Sequence, residues 1–143
     1  MFKGLSGKHA IVTGGSTLIG AGLVEAFVKA GATVTIADID AERGQAIADA
    51  CGKSAWFRQT DISDDGQLEA CVAESAKKFG RIDFVVNAAC VYVDDGINAS
   101  RSDWLTSMNV NLISAAMLVK AALPWMKKSG GGAVVNFTSI SSS

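Results

Sequence analysis

The stretch Thr13-Gly14-Gly15-Ser16-Thr17-Leu18-Ile19-Gly20 is the first part of this sequence whose residue types could do chemistry. Glycines at a turn let the backbone fold tightly and approach a pyrophosphate, whose charge the N–H groups of a following helix can hold. A plain strand-to-helix connection would use the same glycines. Asp38 lies 24 residues beyond Gly14, close to the roughly 20-residue offset at which a carboxylate meets an adenosine ribose. A carboxylate there accepts hydrogen bonds from both ribose hydroxyls and repels a 2′-phosphate, which favours NAD over NADP. Asp40 adds negative charge, Ser16 and Thr17 bring no cation, and Arg43 falls in a first helical turn where solvent would take it. FAD and S-adenosylmethionine sites use an acid at the same point. Turn and acid therefore define a nucleotide site without naming a reaction.

Those residues need a scaffold that brings strand ends together. Short β-branched runs alternate with longer stretches rich in Ala, Glu and Lys. Strands are predicted at His9–Thr13, Thr33–Ala37, Ala55–Arg58, Ile82–Val86 and Ala133–Phe137, and helices at about Ile19–Ala30, Ala41–Cys51, Asp64–Phe79 and Trp104–Lys127. Nearly continuous apolar strands separated by helices imply a parallel sheet covered on both faces, because parallel strands require crossovers. The expected fold is α/β: a doubly wound, Rossmann-type sheet in three αβα layers, filling residues 1–143 as one domain. Gly31 suits a left-handed helix end, Ser63-Asp64-Asp65 opens a helix with capping oxygens, and Gly80 closes it after Lys77 and Lys78.

Composition narrows the function classes. With 143 residues, 49% hydrophobic, 19% charged, a mean hydropathy of +0.28 and a formal net charge of −1, the chain is globular rather than disordered. It lacks the basic footprint of a nucleic-acid binder. Cys51, Cys71 and Cys90 are widely spaced and have no histidine near them, so neither a disulfide framework nor a metal site is expected. His9, the only histidine, is read as structural or exposed. The N-terminus has no apolar signal segment, and no uncharged apolar run reaches the roughly 18 residues of a membrane span. A cytoplasmic location away from membranes is expected.

Four further landmarks follow in order. Asp61-Ile62 comes after the third strand, Asn87-Ala88-Ala89-Cys90 after the fourth, Asn109-Val110-Asn111-Leu112 in the long helix, and Asn136-Phe137-Thr138-Ser139 at the end of the fifth strand. Together with the glycine turn and Asp38, they resemble the classical short-chain dehydrogenase/reductase family over essentially the whole chain. The resemblance implies reversible hydride transfer between nicotinamide C4 and a carbonyl or secondary-alcohol carbon. It places Gly14, Ser16, Thr17, Leu18, Ile19, Asp38, Ile39, Asp61, Ile62, Asn87, Ala88, Ala89 and Val110 around NAD. Ser139 would donate to the substrate oxygen. Asn111 would interrupt its helix and hold a water in a proton relay.

Two positions depart from the family pattern. Leu18 stands where T-G-x-x-x-G-x-G has its middle glycine, and Ala88 and Cys90 replace an Asn and a Gly of N-N-A-G. The family's acid/base pair, a Tyr-x-x-x-Lys on one helix face, is not in the sequence, since the only tyrosine is Tyr92 and position 96 is Gly96. The chain is therefore expected to be the N-terminal portion of a longer protein, incomplete at its C-terminal end, with the missing part supplied after Ser143. The broad apolar surface of the long helix, from Leu105 to Met126, means that it buries more than one side; the resemblance implies a homo-oligomer, dimer or tetramer, packed on it, and a helix fully internal to a large core is the alternative. A small alcohol or ketone is the implied substrate, and a nucleotide-binding or scaffolding protein without turnover is the alternative.

Overall fold

The computed structural model describes residues 4–93 and 95–138. Strands and helices alternate as β1 (His9–Thr13), α1 (Leu18–Lys29), β2 (Thr33–Asp38), α2 (Ala41–Cys51), β3 (Ala55–Gln59), α3 (Asp65–Phe79), β4 (Phe84–Asn87), α4 (Arg101–Met108), α5 (Ser114–Lys128) and β5 (Ala133–Asn136). The strands form one parallel sheet in the order β3-β2-β1-β4-β5. After β3 the chain crosses back over β1 to add β4 on its other side. The loops leaving β1 and β4 therefore diverge at one crevice, the switch point where open α/β sheets take ligands.

Side chains alternate across a strand, so neighbouring residues feed opposite layers. Ile11 and Val85 pack with Leu68, Val72, Leu118 and Met126 under α3 and α5. Val12 and Val86 pack with Val24, Ile36 and Ala48 under α1 and α2. This is the three-layer, doubly wound sheet that the alternation of strands and helices implies. β5 is an edge strand whose four residues are all exposed.

The helices begin where side-chain oxygens accept from their first amides. Thr17 caps α1, Asp40 caps α2, Asp64 caps α3, and Ser100 with Asp103 forms a reciprocal box on α4. α4 therefore starts three residues before the expected Trp104. The long helix is also not continuous: a π turn over Asn109–Ile113 separates α4 from α5. α5 buries Ser114, Leu118, Ala122 and Met126, whereas α4 buries nothing and exposes Trp104, Leu105 and Met108. From Arg101 to Lys128 the combined helix has the length and composition of a membrane span, and its α5 part lies against α3 and β4 as one wall of the sheet.

His9 is fully buried at the opposite end of the sheet from the crevice. Its ring stacks on Phe79 at 4.2 Å and meets Thr33 Oγ1 at 2.8 Å, Ser75 Oγ at 2.9 Å and Thr35 Oγ1 at 3.1 Å. Burial pushes the imidazole down to about 4, against the attraction of Asp83. Burial pushes Asp83 up, but the Arg81 guanidinium, the His9 amide and Lys8 outweigh it and hold the carboxyl below its ordinary value.

Candidate functional site

The turn after β1 is built by interlocking backbone. Gly14 has φ +65°, and a Cβ on it would stand 2.6 Å from Ala89 Cα, so only glycine lets this turn press against the loop leaving β4. A Cβ on Gly20 would be driven into the Gly14 carbonyl. Thr17 Oγ1 donates to that carbonyl at 2.7 Å and accepts from Gly20 N at 3.1 Å, tying turn to helix. Thr13 Oγ1 donates to Val86 O at 3.4 Å and accepts from Ala89 N at 3.3 Å, tying the two loops together. Among the described residues, no acceptor bonds the Leu18 or Ile19 amides in the first turn of α1. Those amides lie at the positive end of the helix and are suited to an anion.

Asp38, at the end of β2, is 8% exposed and spans the neighbouring turn. Its Oδ2 accepts from Ser16 N and its Oδ1 from Asp40 N, both at 3.0 Å. One carboxylate therefore holds both the glycine turn and the start of α2. Beyond it opens a cleft of about 420 Å³ lined by Ile39, Arg58, Gln59, Asp61 and Gln67. Arg58 is drawn out of play there, bonding Glu74 at 2.9 and 3.2 Å and Gln59 O at 2.7 Å. Asp61 Oδ1 accepts from Ser63 N and Oγ, and Ile62 packs instead against the core under α3 and α5. Arg58, Gln59 and Gln67 were not anticipated in the cleft. They stand on the same strand end as Asp61 or one helical turn beyond it, which is the one signal that could have found them.

On the other side of the crevice, Asn87 pairs across the sheet with Asn136, its Nδ2 donating to Asn136 Oδ1 at 2.8 Å. Ala88 packs into the α1–α2 core and Ala89 under Gly14. Asn111 lies in the π turn beside the half-buried Val110. Its Oδ1 accepts from Val91 N at 2.8 Å and its Nδ2 donates to Val91 O at 2.9 Å, so its amide grips the loop leaving β4. Ser139 lies outside the described residues. The structure thus gathers the glycine turn, Asp38, Ile39, Asp61, Asn87–Ala89 and Asn111 along the C-terminal ends of the strands, while Ile62 turns away.

Residues 8–143 match the family model for short chain dehydrogenases. The chain belongs to the short-chain dehydrogenase family. It is 35% identical over 140 residues to a 3-oxoacyl-(acyl-carrier-protein) reductase of Chlamydia pneumoniae, covering 95% of this chain and 56% of that protein. It is equally similar, 35% over 144 residues, to a probable galactose dehydrogenase of Rhizobium meliloti, covering 97% and 56%. An L-fucose dehydrogenase of Rattus norvegicus is 35% identical over 137 residues, covering 94% and 50%. The chain spans about half the length of these curated relatives.

Short-chain dehydrogenases are oxidoreductases that generally use NAD or NADP. The crevice fits such a dinucleotide on its own terms. Two glycine positions admit no Cβ, two helix amides stand free, and a carboxylate sits at the end of the adjacent strand. Leu18 departs from the family turn without disturbing this framework, since its side chain is 92% exposed and leaves the Gly14–Thr17–Gly20 interlock intact.

Proposed function

We propose that this chain is the cofactor-holding part of an oxidoreductase that moves a hydride between NAD and a secondary alcohol or its ketone. The observation that carries the choice of cofactor is Asp38, whose carboxylate faces the crevice from the end of β2 beside the glycine turn. Each carboxylate oxygen takes one amide and keeps a lone pair with which it would accept from a ribose hydroxyl, and its charge opposes a 2′-phosphate. Arg58, the cation of the adjoining cleft, is bound to Glu74 and offers such a phosphate no partner. The Leu18 and Ile19 amides hold the pyrophosphate, with Ile39 and Asp61 flanking the adenine side and Asn87, Ala88 and Ala89 the opposite wall. When bound, the nicotinamide supplies or accepts the hydride.

Asn111 keeps the loop after β4 in place, and in this reading it also holds a relay water. Ser139 donates to the substrate oxygen and stabilises the charge that develops there. Relatives named as a 3-oxoacyl-(acyl-carrier-protein) reductase, a probable galactose dehydrogenase and an L-fucose dehydrogenase support an alcohol or ketone substrate. Trp104, Leu105, Met108 and Leu112 form an exposed apolar stripe that suits a second copy of the chain. We place the protein in the cytoplasm.

Fluorescence titration with NADH and NADPH tests the reading. Saturation by NADH well below millimolar, with NADPH at least tenfold weaker, is expected; no saturation at millimolar NADH would sink it. A second reading, a nucleotide-binding protein without turnover, draws on Leu18, an exposed leucine where the family turn has a glycine. Binding of NADH with no oxidation of any secondary alcohol by the intact protein would favour that reading.

A further inference from the structure

The helix wall beside the crevice changes pitch at Asn111, and one buried hydroxyl is bonded to that change. In an α-turn the Asn109 carbonyl takes the amide four residues on. Here it takes the Ser114 amide, five residues on, and also the Ser114 hydroxyl at 2.8 Å. A serine inside an α-helix returns its hydroxyl three or four residues back. A carbonyl five residues back comes within reach only while the turn is wide. Ser114 is 3% exposed, so water does not compete for this bond.

We propose that Ser114 is a positioning residue whose hydroxyl holds the π turn Asn109–Ile113 in place and so keeps the Asn111 amide on the backbone of Val91. Closing the turn to α pitch removes one residue from it and rotates Asn111 by about 100° relative to α5. The paired bonds to Val91 N and Val91 O, at 2.8 and 2.9 Å, cannot survive that rotation. With them goes the anchor of the loop that runs on from Asn87–Ala89. The hydroxyl is the only part of Ser114 that distinguishes the wide turn, because an alanine amide would serve either pitch. The consequence for turnover rests on the dehydrogenase reading above; the hold on Val91 does not.

Amide hydrogen exchange on the intact protein, without cofactor, tests the hold directly. Ser114→Ala should make the Val91 amide exchange about fivefold faster, the ordinary worth of one hydrogen bond, while the core amides of Val85 and Val86 keep their rates. Asn111→Ala should expose Val91 further, and adding Ser114→Ala to it should change nothing more, since the hydroxyl acts through Asn111. Should Ser114→Ala not fold, Ser114→Cys replaces the hydroxyl by a weakly bonding thiol of similar shape and is read the same way. An unchanged Val91 rate, a rise shared equally by Val85 and Val86, or an additive double variant overturns the proposal. NADH titration of the wild-type protein stands apart from all of these, so a failed dehydrogenase reading would leave the exchange result interpretable.

Discussion

Acidifying the protein from pH 7 toward 4 is expected to remove about 3 kcal/mol of stability through His9 alone. The ring is sealed between β1, β2 and α3, stacked on Phe79, with three hydroxyls around its nitrogens. Thr33 Oγ1 donates to Lys8 O, so it receives a proton from His9 Nδ1, and Nε2 is left to accept from Ser75 or Thr35. That is a satisfied neutral imidazole. Charging it in place is costly, and burial lowers its pKa from 6.5 to about 4 even with Asp83 nearby. At about 1.4 kcal/mol per pH unit, that difference is worth about 3 kcal/mol. The unfolded chain takes its proton near 6.5 and the folded chain only near 4, so protons favour unfolding between those values. The stability is complete above about 6.5, is lost as pH falls through the window, and His9 adds no further slope below about 4. Carboxyls held low, such as Asp83, give up their contribution only as pH falls below the ordinary 3.8 toward their own lowered values. Urea unfolding followed by tryptophan fluorescence at half-unit steps from pH 7.5 to 4 reads the slope. His9→Gln cannot titrate, so its stability should be lower at pH 7 and nearly flat across the window. If the wild type is flat as well, or His9→Gln keeps the full slope, His9 does not carry the acid sensitivity.

Other perturbations address the crevice and the outer helix. Asp38→Ala removes the acceptor for the Ser16 and Asp40 amides as well as for the ribose; NADH binding should weaken at least about tenfold, about 1.4 kcal/mol, and the preference over NADPH should shrink. An unchanged affinity ratio in parallel titrations would refute the assigned role. Leu18→Gly restores the family's glycine at the start of α1 without touching the core, since the leucine side chain is almost wholly exposed. Severalfold tighter NADH binding is expected, at a cost of up to about 1 kcal/mol in helix stability, and weaker binding would show that the side chain helps rather than hinders. Leu105→Lys and Leu112→Lys, on the apolar stripe of the outer helix, should lower the mass found by sedimentation, whereas an unchanged mass would remove that stripe as the contact between copies.

What could be read from the sequence was mostly what neighbours along the chain decide. The turn from β1 into α1 depends on Gly14 at positive φ and on Thr17 three residues before Gly20, so its shape is visible in a dozen letters. The strands are visible because a sheet covered on both faces leaves unbroken apolar runs. The early start of α4 was also visible, in Ser100 and Asp103 at capping-box spacing, ahead of the Trp104 that the apolar pattern favoured. The burial of His9 was not, since its partners Thr35 and Ser75 lie 26 and 66 residues away. Nor was the phase of the long helix. The broad apolar surface from Leu105 to Met126 follows a 3.6-residue period through one continuous helix, and the extra residue of the π turn breaks that period. Residues before the turn face solvent while Leu118, Ala122 and Met126 face the core.

Leu18 shows how the same distinction bears on function. As a departure from a glycine it could have distorted the loop or merely crowded its mouth, and the letters alone do not separate the two. The separation comes from where a Cβ collides. At Gly14 it meets the backbone of Ala88 and Ala89, and at Gly20 the backbone of Gly14, so those two positions set the loop's shape and both remain glycine. At position 18 the side chain is almost wholly in solvent. Leu18 therefore leaves the amides of the first turn of α1 where the fold puts them.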